Sequence, residues 1–417
     1  MVLKIKQIFF VCFLCLIIPS LISATELNSL NLNDALNYAL THPRIQGKKK
    51  ELNVANEKLN TSKWLRFPAV SVISSAGQSS LSSRDREPVT TIRLEQPLWA
   101  GGRISSSIEA NQARLNSSIY GISEIEEDVL GKTSAVYCSL LKMQEKIEAS
   151  KENVEEHKRL LSLIQRKARN EVSPMVEIVL AKTRLEQAQY EQIQLITQAT
   201  NLKAELESLI GQPFQSIKNP KVALSIPSDL DQAISLTISN SPTIKRLESD
   251  VEASSADIDV SKASIWPQIS ARNDNIIGGI TEGNISYLAL TYTPGNGLSA
   301  LSNTSEARAK KEVAETLIRS TTLELSNKIR ADWNQYFAEM KQAEVLSNLV
   351  ETSQGVYESY LRQYAVGKKT WVEVLNAKKE STQAKYIYSE SQWNSFMAGV
   401  RLQISTGMII HDSPNLK

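Results

Sequence analysis

Cysteine, histidine, proline and glycine are all scarce in this chain, and each shortage removes a class of protein. Only 3 Cys occur in 417 residues. Cys12 and Cys15 fall in an N-terminal segment that reads as removable, so Cys138 alone remains and no intrachain disulfide framework is possible. The 3 His, at positions 42, 157 and 411, lie far apart and show no metal-ligand spacing. With 13 Pro and 16 Gly the chain has few breakers, which argues for long uninterrupted helices. Charge of one sign is also missing: 47 Lys+Arg stand against 45 Asp+Glu, a formal net charge of +2. That balance gives no electrostatic case for nucleic-acid binding. Beyond the N-terminus no apolar run approaches the length of a spanning helix. What is present, 41% hydrophobic and 22% charged residues, is the composition of a folded protein rather than a disordered one.

Residues 1–24 have the layout of a secretory signal peptide. Lys4 and Lys6 form a basic start, Ile8 to Ile18 is apolar, Pro19-Ser20 breaks the run, and Ile22-Ser23-Ala24 offers a small residue before a cut. An uncleaved anchor is the alternative, but the apolar run is short for a membrane span. Neither Cys12 nor Cys15 follows a small-residue pair, so a lipoprotein anchor is unsupported. Losing Lys4 and Lys6 brings the basic count level with the 45 acidic residues. An exported chain without a spanning helix is expected in the periplasm, the outer membrane or the exterior.

The remainder repeats itself. Asp34-Ala35-Leu36, Ala39-Leu40 and His42-Pro43 return as Asp231, Ala233-Ile234, Thr237-Ile238 and Ser241-Pro242. Pro43 to Pro68 and Pro242 to Pro267 are both 25 residues apart. Ser62-Lys63 returns as Ser261-Lys262, Phe67-Pro68-Ala69-Val70 as Trp266-Pro267-Gln268-Ile269, and Val176-Glu177 with Ala181-Lys182 as Val372-Glu373 with Ala377-Lys378. The offset stays between 196 and 199 throughout. Two units are expected, 25–222 and 223–407, followed by a tail at 408–417.

Each unit has the same internal order. A short helix leads to a Pro, and a helix of about 24 residues leads to the next Pro. An alternating, polar segment follows, then a Pro-free helix of about 67 residues and a helix of about 37. The long helices are expected at about 104–170 and 299–366, within helical hairpins at about 104–210 and 299–406. Ile122, Val129, Val136 and Met143 recur every seven residues, as do Leu140, Ile147, Val154 and Leu161, which is the seam of a coiled coil. At 1.5 Å per residue such a helix is ~100 Å long. The alternating segments read as β-hairpins at about 69–98, with a charged tip at Arg84-Asp85-Arg86, and about 267–293, around Gly278-Gly279 and Gly283-Asn284. Strands of about ten residues suit a membrane barrel wall; surface strands of a soluble sheet are the alternative. Four strands cannot close, so a barrel would need several chains.

No catalytic constellation is visible. His42 precedes a helix-breaking Pro and reads as a loop residue, while His157 falls on the heptad helix and is expected at its surface. Cys138 beside Tyr137 reads as a packed residue. No nucleophile elbow surrounds any Ser. Gly101-Gly102 and Gly278-Gly279 lack the Lys-Ser/Thr of a phosphate loop. Lys48-Lys49-Lys50 reads as a solvated helix face. No enzyme activity, cofactor or metal is expected.

Taken together, the duplicated layout, the segments 33–43 and 231–242, and Gln96-Pro97-Leu98-Trp99-Ala100-Gly101-Gly102-Arg103 resemble the TolC-type outer-membrane factor family, over essentially the whole mature chain. The sharpest match is Arg362-Gln363-Tyr364-Ala365-Val366-Gly367-Lys368-Lys369-Thr370-Trp371-Val372-Glu373-Val374-Leu375-Asn376-Ala377. It is most similar to the branch that exports adhesins or agglutination proteins. The resemblance implies a mainly α protein with a β-barrel: a homotrimer whose twelve strands, four per chain, form one barrel in outer-membrane lipid. Its antiparallel coiled-coil helices continue as a tunnel into the periplasm. It implies the exit duct of a type I secretion or tripartite efflux system, with a periplasmic adaptor and an inner-membrane ABC transporter or proton-driven pump as partners.

The family pattern also assigns the helix turns. Tyr364 and Lys369 match residues that hold the entrance closed by reaching the first turn, where Glu177 matches their acidic partner. Glu373 matches a carboxylate that projects inward as a ring of three, and Asn376 stands where a second carboxylate is often found. Val172, Ser173, Val366 and Gly367 fall where the adaptor docks. The first turn has Glu171 where the second has Gly367; Ser173-Pro174 would supply that turn, with Ser as N-cap and Pro at the first helical position. Trp99 and Trp266, between strand and helix, are expected at the membrane–water boundary. A periplasmic coiled-coil adaptor is the competing expectation, although an adaptor with one hairpin flanked by small β-domains would lack this duplication.

Overall fold

The computed structural model describes residues 28–75, 88–169, 174–220, 224–278, 282–293, 295 and 299–407. The duplication governs its architecture. Unit one runs α1 (Leu32–Ala39), α2 (Pro43–Trp64), β1 (Ala69–Ser75), β2 (Val89–Trp99), α3 (Arg103–Arg169) and α4 (Met175–Ile210). Unit two runs α5 (Leu230–Asn240), α6 (Pro242–Ala263), β3 (Gln268–Ile277), β4 (Gly283–Thr291), α7 (Ser299–Ala365) and α8 (Trp371–Thr406). Paired helices have equal lengths: 22 residues for α2 and α6, 67 for α3 and α7, 36 for α4 and α8.

Local chemistry sets these ends. Asn31 caps α1 by accepting from the Asp34 amide at 2.8 Å, and Asp229 caps α5 from the Gln232 amide at 2.8 Å. Pro43 and Pro242 open α2 and α6, where a missing N–H costs nothing. His42 is more than a loop residue: its Nδ1 accepts from the Arg44 amide at 3.2 Å and caps α2. Gly211 and Gly407 close α4 and α8 in left-handed conformations.

The helices form a layer around α3. Toward the sheet, the neighbours run α2–α3–α6–α7; toward the helix turns they run α4–α3–α8–α7. The main core gathers Leu130, Tyr137, Leu140 and Leu141 of α3 with α1, the end of α4, Phe214 and Trp393 of α8. Tyr137 donates its hydroxyl to the Lys218 carbonyl at 2.6 Å. Cys138 is packed as expected, and burial pushes its thiol up to about 12, so it stays protonated. His157 corrects the sequence reading: it is 4% exposed, not at the surface. The seam series 122, 129, 136, 143 continues to Ser150 and His157, and both are buried although polar. Burial, with Lys378 and Arg184 nearby, lowers the His157 imidazole to about 4.

The four strands make one antiparallel sheet ordered β1-β2-β3-β4. Its register pairs Arg93 with Asp274 and Glu95 with Arg272. One face therefore carries charge: Arg93 donates twice to Asp274, at 2.7 and 2.8 Å, Arg272 donates to Glu95 at 3.0 Å, and Tyr287 donates to Asp274 at 3.0 Å. The opposite face exposes Val70, Val72, Ile92, Leu94, Leu288 and Leu290. Pro97 cannot continue the ladder, and the register shifts between Pro97 and Trp99. The tip at Arg84-Asp85-Arg86, residue 279 beside Gly278, the segment 1–24 and the tail 408–417 lie outside the described residues. Among the described residues no helix is long and apolar enough to cross a membrane, and no metal-binding cluster occurs.

Candidate functional site

The far ends of the two helical hairpins hold most of the expected site. The turn after α7 is closed by its backbone. Gly367 adopts φ 74°, its amide donates to the Tyr364 carbonyl at 3.1 Å, and the Lys368 amide donates to the Gln363 carbonyl at 2.9 Å. This is a complete Schellman motif, and it explains the glycine. Thr370 then starts α8 with a reciprocal capping box: Oγ1 accepts from the Glu373 amide at 3.3 Å, while Glu373 Oε2 accepts from the Thr370 amide at 2.8 Å. Behind the turn, Trp371, Val374 and Leu375 are buried with Leu160 and Ile164 of α3, Ala181 of α4, and Tyr357 and Tyr364 of α7. This cluster joins one hairpin to the other.

The structure brings Tyr364 to Glu177. The Tyr364 hydroxyl donates to Glu177 Oε2 at 3.3 Å across the two hairpins, and its ring lies tilted against Trp371, centroids 5.0 Å apart, with Lys167 Nζ 4.1 Å from its own centroid. Lys369 does not join it. Its ammonium, in the turn itself, donates to Glu373 Oε1 of α8 at 2.7 Å and sits 4.2 Å from the Tyr360 ring, so within the chain Glu373, not Glu177, is its partner. That ammonium and the Thr370 backbone hold the Glu373 carboxyl down at about 2, while Glu373 raises Lys369. Asn376 is exposed one turn further along α8.

The first turn differs. Pro174, not Ser173, is the N-cap of α4, no side chain caps that helix, and Met175 is its first residue. Val172 and Ser173 lie outside the described residues. At the repeat's offset of 196, Pro174 corresponds to Thr370 and Glu177 to Glu373. Proline has no side-chain acceptor and cannot complete a capping box, which leaves the Glu177 carboxylate for Tyr364. Val366 is 69% exposed, and Met175, Val176 and Val179 form an exposed apolar stretch at the start of α4.

Sequence reasoning missed the polar layer behind this cluster. Glu156 accepts from the Tyr357 hydroxyl and from Arg159, and Lys378 is 5% exposed beside His157. Thr382 of α8 donates to Asn153 of α3 at 2.9 Å. At the sheet end, Trp99 and Trp266 are both exposed. Trp64 and Phe67, tilted against each other with centroids 5.1 Å apart, lie exposed between α2 and β1.

This architecture can be compared with known proteins. The family model described as outer membrane efflux protein matches residues 37–212 and 233–402, one match in each repeat. The chain belongs to the outer membrane efflux protein family. It is 23% identical over 352 residues to the pyoverdine export outer membrane protein OpmQ of Pseudomonas putida, covering 80% of this chain and 72% of that one. It is 22% identical over 322 residues to protein CyaE of Bordetella pertussis, covering 72% and 68%. Its fold is that of the Campylobacter jejuni CmeC outer membrane channel (TM-score 0.80, 16% identity, 93% and 90% covered) and of the Vibrio cholerae outer membrane protein VceC (0.79, 16%, 90% and 96%). This efflux protein is thus a channel of the outer membrane that extends into the periplasm, not an enzyme. The sheet, charged on one face and apolar on the other, is its membrane part. The helix turns mark the opposite, periplasmic end.

Proposed function

We propose that this efflux protein is the passive, trimeric exit duct of a type I secretion or tripartite efflux system, shut at its periplasmic helix turns when idle. The observation that carries the reading is that sheet and helical layer are both open at the same two sides. β1 and β4 are the sheet edges, α2 and α4 end the helical layer beside β1, and α7 ends it beside β4. Unpaired strand edges are not tolerated in lipid. Repeating the chain joins each β4 to the next β1 and each α7 to the next α2 and α4. Three copies give the twelve strands that the family resemblance implies.

The exposed side chains support that closure. α4 exposes Tyr190, Ile193 and Ile196, and α7 exposes Met340, Val345 and Leu349. Counted from their shared turn end, Ile196 and Val345 lie at matching heights along antiparallel helices. Cysteines at Ile196 and Val345 should therefore cross-link under oxidation into a ladder that stops at three chains; stable monomers alone, or a ladder running past three, would refute the assembly. Cys138 is buried and should not interfere.

Family membership sets aside the reading of the chain itself as an adaptor. The energy must come from partners, an inner-membrane ABC transporter or proton-driven pump linked through a periplasmic adaptor. The adaptor would meet Val366 and Gly367 and the segment holding Val172 and Ser173. The cross-hairpin bond from Tyr364 to Glu177 is the latch in this reading. Glu373 serves first to complete the capping box of α8 with Thr370, and any contribution to a threefold carboxylate ring is muted by Lys369.

A further inference from the structure

The interface of α3 with α8 changes character between the two apolar clusters. On α3, Tyr137, Leu140 and Leu141 belong to the main core, and Leu160 and Ile164 to the turn cluster. The buried positions between them are Ser150, Asn153, Val154 and His157, three of them polar. α8 answers with Lys378, Ser381, Thr382, Ala384, Ser389 and Ser391, of which only Ala384 is apolar. Short hydroxyl side chains bury little apolar area, so this layer gains little from the hydrophobic effect. It is held by Thr382 donating to Asn153 at 2.9 Å, by Ser381 donating to Gln354 of α7 at 2.8 Å, and by the surface pair of Lys385 and Glu152.

His157 is the titratable group at the centre of the layer. α8 brings Lys378, 5% exposed, and α4 brings Arg184. α7 brings Tyr357, whose ring lies 5.5 Å from the Lys378 ammonium and whose hydroxyl donates to Glu156. Glu156, beside His157 on α3, favours a charged imidazole, but it already accepts from Tyr357 and Arg159. Among the described residues no carboxylate bonds Lys378, Arg184 or His157, and His157 Nδ1 and Arg184 Nε are buried without a hydrogen-bond partner. Burial lowers the Lys378 ammonium as it lowers the imidazole, so both buried groups resist the charged form.

We propose that this layer is an acid-sensitive joint: a proton on His157 puts a third unpaired cation between α3, α4 and α8, loosens their packing behind the turns and favours the open duct. The proposal rests on the gate inferred above and adds what biases it. An uncompensated buried charge destabilises the packing that encloses it, and here the packing has little apolar area with which to resist. In the closed joint the imidazole is held near 4; in a loosened, hydrated joint it returns to its ordinary 6.5. Above about pH 6.5 both states are neutral and the closed joint keeps its full stability. As pH falls toward 4 only the loosened state binds the proton, so the closed state is drained. At pH 5.5 the loosened state is favoured about tenfold per chain.

The test uses the purified full-length assembly and two readouts. Hydrogen exchange by mass spectrometry, corrected for the intrinsic pH dependence of exchange, reports the joint through peptides covering 150–157 and 378–389. Planar bilayers report the opening of the duct. From about pH 7.5 to about pH 5.5 the wild type should exchange faster in both peptides and open at least about tenfold more often, reversibly, while still migrating as a heat-modifiable oligomer. His157→Gln, which keeps a polar side chain but cannot take the proton, should lose most of both responses. Lys378→Met keeps the stem and removes one neighbouring cation, so the ratio of opening at the two pH values should shrink although His157 remains. A structural role alone would move the opening at both pH values and leave that ratio unchanged. An acid response that survives whole in His157→Gln, or no loosening at 150–157 and 378–389 in the wild type, overturns the proposal; the gate reading still stands if Tyr364→Phe opens the duct. Loosening without any rise in conductance also overturns it. If Tyr364→Phe is then silent as well, the gate reading falls with it.

Discussion

Replacing Tyr364 by Phe tests the latch with the least damage to packing. The ring stays against Trp371, 5.0 Å away, and beneath Lys167, so the cluster that joins the hairpins is kept. What is lost is the hydroxyl bond to Glu177, at 3.3 Å and only partly buried. A bond of that length and exposure contributes toward the low end of the usual range, about 0.5 kcal/mol per chain. Three equivalent copies in a trimer give about 1.5 kcal/mol if they act independently, which shifts a closed-to-open equilibrium about tenfold. In planar bilayers the variant should enter its high-conductance state about ten times as often as wild type. Tyr364→Ala should open it further, since truncating a buried aromatic costs about 3–5 kcal/mol. Lys369→Ser should do less than Tyr364→Phe, because the ammonium is bound to Glu373 within the same hairpin and no link between hairpins is lost. If Lys369→Ser opens the channel while Tyr364→Phe gates like wild type, the reasoning fails and Lys369 is reaching another chain.

Other outcomes follow from the same geometry. Gly367→Ala should lower stability by about 1–2 kcal/mol in denaturant titrations, since φ 74° strains a side chain although nothing lies within 4 Å of the added Cβ; Gly367→Asn should cost less. Pro174→Thr should offer Glu177 a capping partner, raising helix stability while loosening the bond to Tyr364, read as higher thermal stability with more frequent opening. His157 is held near 4 against an ordinary 6.5, so between these values the unfolded chain binds the proton and the folded one does not. Its contribution, about 3 kcal/mol per chain, is complete above about pH 6.5 and is lost as pH falls toward 4. His157→Gln should flatten that acid limb in thermal unfolding. Tags at Glu282 should be reachable on intact cells, tags at Lys368 only after the outer membrane is breached, and Trp99 and Trp266 should be quenched by brominated lipid placed at the inner interface.

Most of the fold was legible because duplication supplied every element twice and prolines and glycines punctuated both copies. The expected long helix at 104–170 is observed at 103–169, and the helix expected at 299–366 ends at Ala365. The heptads were read correctly but stopped too early. The seam runs on through Ser150 and His157, where the polar letters concealed a buried position, and His157 was assigned to the surface for that reason. At the turns, Thr370-x-x-Glu373 is a capping-box sequence that predicts where the Glu373 carboxylate goes; the family pattern drew attention to a ring instead. The Tyr364–Glu177 contact joins residues 187 apart, and only the resemblance could have brought them together before the fold was known.

The duplication also explains why one carboxylate of the pair reaches the other hairpin and the other does not. Glu177 and Glu373 occupy the same place in the two repeats, three residues into a helix that starts the return from a turn. A carboxylate there is drawn toward the helix N-terminus by the free amides and by any capping hydroxyl. Thr370 supplies that hydroxyl in the second repeat, and Lys369 adds a charge beside it, so Glu373 is bound on both oxygens within its own turn. Pro174 supplies neither a hydroxyl nor an amide in the first repeat. Glu177 is left partly buried beside α7, and the Tyr364 hydroxyl is within reach. The second turn is therefore closed on itself, by a Schellman motif on one side and a capping box on the other. The first holds α4 with no side-chain cap and meets the second through its Glu. A latch needs one part that keeps its shape and one bond that can break without unfolding it. Divergence between the two turns, Thr370 against Pro174 together with Gly367 and Lys369 in the second repeat alone, would provide both in the proposed gate.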